Sequence, residues 1–177
     1  WFDERGIAIP NLAELLDLVA LGTVADVVPL DANNRILTWQ GMSRIRAGKC
    51  RPGIKALLEV ANRDPQKLAA SDLGFALGPR LNAAGRLDDM SVGVALLLCD
   101  NIGEARVLAN ELDALNQTRK EIEQGMQVEA LTLCEKLERS RDTLPGGLAM
   151  YHPEWHQGVV GILASRIKER FHRPVIA

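Results

Sequence analysis

The chain has 177 residues, of which 47% are hydrophobic and 25% charged, with a net charge of −2. That balance excludes disordered, collagen-like and low-complexity classes, and the length suffices for one large or two small domains with a real core. The longest apolar run, 92–99, falls far short of the roughly 20 residues a membrane helix needs, so no span is expected.

The three cysteines (Cys50, Cys99, Cys134) are scattered and lack metal-ligand spacing, which fits a reducing, cytoplasmic compartment. Trp1 opens the chain without the basic start or apolar stretch of a signal peptide. Pro174-Val175-Ile176-Ala177 closes it as a buried-strand pattern. Both ends read as those of an internal piece of a longer protein.

The elements follow in order. Ile9-Pro10-Asn11 opens a helix with Asn11 as N-cap and Glu14 completing a capping box. Leu12, Leu15, Leu16 and Val19 mark its expected buried face, and Gly22 its stop. Asp31 caps a second helix running to Arg46, and Pro52 opens a third running to Asn62. Ser71-Asp72 starts a fourth that is expected to break at Gly78-Pro79. The stretch 91–99 is apolar on all sides and reads as a buried helix, with a strand as the alternative.

From 102 to 140 there is no proline, and apolar residues recur at Leu108, Leu112, Leu115, Ile122, Met126, Leu133 and Leu137. This is one helix of nearly ~60 Å, or two broken near Gly125. A helix that long joins two bodies. A dimerising coiled coil is the alternative, although Arg119 and Glu129 interrupt its seam. Residues 147–151, 157–171 and 173–177 then read as strand, helix and strand, a βαβ unit with parallel strands.

Four spots invite chemistry. Asp26 lies in an apolar stretch, where a carboxylate needs a partner; helix capping and metal ligation both fit. In Gly78-Pro79-Arg80-Leu81-Asn82-Ala83-Ala84-Gly85-Arg86, two arginines and an asparagine suit phosphate oxygens. An interhelical turn whose arginines pair with Asp88 and Asp89 explains the same residues. In His156-Gln157-Gly158-Val159-Val160-Gly161-Ile162-Leu163-Ala164-Ser165-Arg166, a glycine-containing helix start suits an anion. Close packing at Gly158 and Gly161 fits equally well. Finally, Arg44, Arg46, Lys49, Arg51 and Lys55 follow one another with no acid between Asp31 and Glu59, as a polyanion track or a solvated face. Pro153 between His152 and His156 argues against a zinc pair, and there is no Ser-His-Asp array, Walker loop or CxxC pair.

The three stretches from Asp17 to Asp26, Gly78 to Arg86 and His156 to Arg166, in this order, resemble the single-stranded-DNA-specific 5′→3′ exonucleases of the DHH phosphoesterase superfamily. The resemblance covers essentially the whole chain and implies an α/β fold in three parts. These are the mostly helical rear of a DHH domain (1–101), a long linker helix (102–141) and the opening βαβ unit of the DHH-associated domain (142–177). It also implies two Mn²⁺ or Mg²⁺ ions, with Asp26 as metal-binding catalytic carboxylate, and Arg80, Asn82, Arg86, His156, Ser165 and Arg166 as substrate-binding residues. The implied substrate is single-stranded DNA, in repair and recombination, with single-strand DNA-binding protein as a candidate partner. The Asp-His-His signature and the downstream Gly-Gly-His motif are absent from this sequence. The piece alone is therefore expected to be inactive. The alternatives are a DHH phosphodiesterase of short oligonucleotides or cyclic dinucleotides, and a non-catalytic DHH scaffold.

Overall fold

The computed structural model describes Arg5 and residues 11–140 and 145–177, which are mostly helical with one small two-stranded sheet. The expected helix opening at Ile9-Pro10 and the expected boundary at 141–142 lie outside the described residues. The Asn11 side chain accepts from the Ala13 N–H at 3.2 Å and donates to Glu14 at 3.3 Å. A 3-10 turn over Leu12–Leu15 follows, then α1 over Leu16–Ala25. Two expectations fail here. α1 runs through Gly22, and Leu12, Leu15 and Val19 are exposed while Asp17, Ala20 and Leu21 are buried. The tighter 3-10 turn, with three residues per turn, shifts the phase of the apolar pattern before the α-helix begins.

α2 (Ala32–Arg46) starts at Asp31, whose carboxylate accepts from the Asn34 N–H at 2.8 Å. α3 (Pro52–Val60) carries its proline in the first turn, where no N–H is missed. The next helix does not break at Gly78-Pro79. A turn of α4 (Ala70–Asp72) passes through a π segment (Leu73–Leu77) into α5 (Gly78–Leu87). The widened π turn absorbs the proline, which sits in the first turn of α5. The glycine-arginine motif is therefore helical, and the interhelical-turn reading fails. α6 (Ser91–Leu98) is a helix as expected, but only Gly93 and Leu96 are buried, and Val94 and Leu98 face outward. It packs against α3, α5 and α7 and leaves its far side open.

α7 (Ile102–Ser140) is a single helix of 39 residues, unbroken at Gly125. One stripe of it serves two apolar cores. Ala105, Ala109 and Leu112 join the helical body formed with α1, α2, α3, α5 and α6. Met126, Ala130 and Cys134 join a second core with Leu148, Met150, Val159, Leu163 and Ile167. That second unit is β1 (Leu148–Ala149), α8 (Val160–Phe171) and β2 (Val175–Ile176). The strands are parallel, with Leu148 opposite Val175 and Ala149 opposite Ile176. The expected buried terminal strand is a strand, yet Ile176 is exposed on this two-stranded sheet.

Candidate nucleic-acid interface

Asp26 sits at the C-terminal cap of α1. The Val28 N–H bonds the Thr23 carbonyl at 3.0 Å and the Val27 N–H bonds Val24 at 3.2 Å, the paired bonds of a Schellman ending. Glycine usually fills the left-handed position of that ending. Here it is Val27, at φ 54°, a conformation that costs a β-branched residue about 1–2 kcal/mol. The turn closes α1 abruptly and leaves the Asp26 side chain exposed, with no hydrogen bond or ion pair among the described residues. Asp26 is thus neither the buried carboxylate nor the side-chain cap that its apolar neighbours suggest.

α5 runs from this end of α1 toward α8. At its start, a Cβ on Gly78 would come within 3.1 Å of the Ala25 Cβ, so the missing side chain lets α5 lie against α1 beside Asp26. At its end, a Cβ on Gly158 would collide with the backbone carbonyl of Arg86, and Arg86 Nη1 donates to the Gly158 carbonyl at 3.0 Å. Eight residues at 1.5 Å separate these two contacts by about 12 Å. Asn82 and Arg86 are exposed on this span. Arg80 is placed differently. It is 15% exposed, its Nε donates to Asp113 at 2.8 Å and its Nη1 to the Ala76 carbonyl at 2.7 Å, which ties α5 to α7.

His156 closes the approach to α8. Its Nδ1 accepts from the Gly158 N–H at 3.1 Å and its carbonyl accepts from Val159 and Val160. An accepting Nδ1 leaves Nε2–H as the donor of a neutral ring. The helix begins at Val160 rather than Gln157, and His156 already satisfies several of the N–H groups that an anion would take. Gly161 meets nothing, so only Gly158 has a packing reason. Ser165 and Arg166 are exposed on α8, and Arg166 Nε donates to Glu123 of α7 at 3.3 Å. The structure thus gathers Asn82 and Arg86 beside α8, and links Arg166 to α7.

Sequence reading missed Arg119. It lines a cleft of about 180 Å³ with Pro79, Asn82, Arg86 and Ile162. The available signal was the charge that breaks the apolar stripe of α7. Part of the basic segment is structural, while the buried Nε of Arg44 has no hydrogen-bond partner among the described residues. Arg46 donates to the Leu68 carbonyl at 2.9 Å, and Arg51 meets the buried Asp17 at 3.1 Å, leaving Lys49 and Lys55 exposed. Asp17 also accepts from the Arg51 N–H at 2.9 Å, so one buried carboxylate both caps α3 and holds its arginine. Among the described residues, no three His, Cys, Asp or Glu side chains assemble as a metal site, and no helix is long and apolar enough to cross a membrane. As an exposed, hard oxygen donor with no partner among the described residues, Asp26 fits as one ligand of a divalent ion and not as a complete set.

No family model matches the chain. It is 98% identical over 177 residues, all of this chain and 31% of the relative, to the single-stranded-DNA-specific exonuclease RecJ of Escherichia coli (strain K12). Along its whole length the chain corresponds to a segment of RecJ. The RecJ of Haemophilus influenzae is 63% identical over 180 residues, covering 99% of this chain and 31% of that protein. The chain therefore spans about a third of the length of these two RecJ relatives. A solved structure of RecJ from Thermus thermophilus in complex with Mg²⁺ superposes with TM-score 0.79 at 37% identity, over 98% of this chain and 26% of that one. Another of that protein, in complex with Mn²⁺, gives the same score over 98% of this chain and 25% of that one.

Proposed function

We propose that this chain is part of a Mn²⁺- or Mg²⁺-dependent exonuclease that degrades single-stranded DNA from the 5′ end, in DNA repair and recombination in the cytoplasm. On this reading residues 1–101 belong to the DHH catalytic domain, 102–141 to its linker, and 142–177 to the start of the substrate-binding domain. The observation that carries it is the α5 span, which runs from beside an exposed carboxylate with no partner among the described residues to a cleft at α8 lined by Asn82, Arg86 and Arg119. A phosphodiester needs both: hard oxygen ligands for ions at the scissile group, and guanidinium or amide donors along the backbone.

Asp26 would be one of the metal-binding carboxylates, the other ligands coming from outside this chain. When bound, the ions supply Lewis-acid activation of water and of the scissile phosphate. The remaining work falls to residues described above. Arg86 and Asn82 bind backbone oxygens, His156 offers Nε2–H, and Ser165 and Arg166 hold the strand from α8. Arg80 supports α5 from behind through Asp113. Single-strand DNA-binding protein is the proposed protein partner.

The experiment uses the full-length protein containing this chain, 5′-phosphorylated single-stranded DNA and Mn²⁺. Asp26→Ala removes mononucleotide release while strand binding persists. Arg86→Ala or Arg166→Ala instead weakens binding and lowers its salt slope by about 0.7 per lost phosphate contact. Normal turnover in Asp26→Ala would sink the metal role. Strand binding without turnover in the unaltered protein would favour the scaffold reading.

A further inference from the structure

The stripe of α7 that faces both cores is apolar at Ala105, Ala109 and Leu112, and apolar again at Met126, Ala130 and Cys134. Between them, at the same three-four spacing, stand Asn116, Arg119 and Glu123. Asn116 is 2% exposed, and the side chains of Arg119 and Glu123 are 13% and 12% exposed. Buried polar and charged groups are costly unless fully paired, and an apolar stripe through this junction would be the more stable choice. The polar interruption falls where the α5–α7–α8 cleft opens.

Glu123 and Asn116 hold Arg119 from both sides. Its Nη1 donates to one Glu123 oxygen at 2.6 Å and its Nη2 donates to the Asn116 carbonyl oxygen at 3.1 Å. The other Glu123 oxygen takes Nε of Arg166 from α8, so one carboxylate lies between two guanidiniums. A guanidinium carries five N–H donors, and these bonds use two of them on Arg119. Its Nε is buried with no hydrogen-bond partner among the described residues. Arg119 lines the same small cleft as Asn82 and Arg86, which supply further donors. Two arginines and an amide around one small cleft suit a phosphodiester oxygen.

We propose that Arg119 is a phosphate-binding residue of the strand path, presented by Asn116 and Glu123. The long helix then contributes directly to the substrate groove and does more than space its two ends. The inference rests on the single-stranded-DNA reading above and adds a residue to its site.

The test measures binding of a 5′-phosphorylated oligodeoxythymidylate to the full-length protein in EDTA, which prevents hydrolysis, over a series of salt concentrations. Arg119→Gln raises Kd roughly tenfold and lowers the salt slope by about 0.7. Arg119→Lys keeps the slope, since the charge remains. It raises Kd several-fold, because one ammonium cannot hold Asn116, Glu123 and a phosphate together. Thermal midpoints are recorded beside each titration. A lowered midpoint with Kd and slope at unaltered values would show a purely structural tie and overturn the proposal. Should Arg119→Gln not fold, Arg119→Lys decides, an unchanged Kd overturning it. Absence of salt-dependent binding in the unaltered protein would overturn the functional reading along with the inference.

Discussion

The helical body and the cleft at α8 use the same residue type in opposite ways. In the body, four arginines tie one element to another, while the buried Nε of Arg44 has no hydrogen-bond partner among the described residues. Arg51 meets Asp17 and the Leu97 carbonyl, Arg46 meets the Leu68 carbonyl, Arg80 meets Asp113 and Ala76, and Arg106 meets Glu59. Around the cleft, Arg86 has one bond to a carbonyl, and Arg119 and Arg166 share a single carboxylate. A guanidinium that ties two elements of the body together is a fastener, whereas one that lines the cleft stands where a ligand would meet it. Type and spacing do not separate Arg80 from Arg86; the partner that Arg80 finds in Asp113 of α7 does.

The sharpest way to break the comparison is to remove a fastener. Arg51→Ala leaves the Asp17 carboxylate buried without its counter-ion, held by backbone N–H groups alone, and should cost about 3 kcal/mol in denaturant unfolding of the intact protein. Loss below about 1 kcal/mol would mean that Arg51 behaves like a surface charge. Next comes the seam between the regions. Gly158→Ala places a Cβ against the Arg86 carbonyl, and backbone must move, for about 1–3 kcal/mol of destabilisation. Strand affinity falls with it, whereas Gly161→Ala, which meets nothing, leaves both quantities unchanged.

The smallest effect tests a fastener at the surface. The hydrogen bond from Arg106, helped by its charge, holds the Glu59 carboxyl below the usual carboxylate range. A depressed folded value means the stabilisation is present above the unfolded value and lost as pH falls through the folded one. Melting curves of Glu59→Gln and the unaltered protein should therefore differ slightly near neutrality and converge in acid. Curves that stay equally separated at every pH would assign the difference to packing.

Much of this fold was legible in the chain. Asp31, Pro52 and the proline-free stretch 102–140 mark helices through local chemistry, which travels with the sequence. The failures come from tertiary context. Gly78-Pro79 reads as a stop because an ordinary α-turn has no room for proline there, but a π segment supplies it. Leu12, Leu15 and Val19 sit on the open side because a 3-10 turn precedes α1 and Asp17 turns inward to Arg51. In the candidate site, Asp26, Asn82 and Arg86 are exposed where donors and ligands are needed. Arg80, equal to Arg86 by motif, is held by Asp113, 33 positions away in the chain.

α7 acts on the cleft as a camshaft acts on two valves. Its Leu112 is seated in one core and its Met126 in the other, so the residues between them set the angular phase of α8 against α5. Adding one residue there would turn the far end by about 100° and advance it by about 1.5 Å, pulling Gly158 away from Arg86. Adding seven would nearly restore the angle, yet slide the second unit about 10 Å along the axis. A change of length between the seats displaces one whole unit against the other, which no substitution of a single side chain does. The number of residues between Leu112 and Met126 is itself part of the geometry of the cleft.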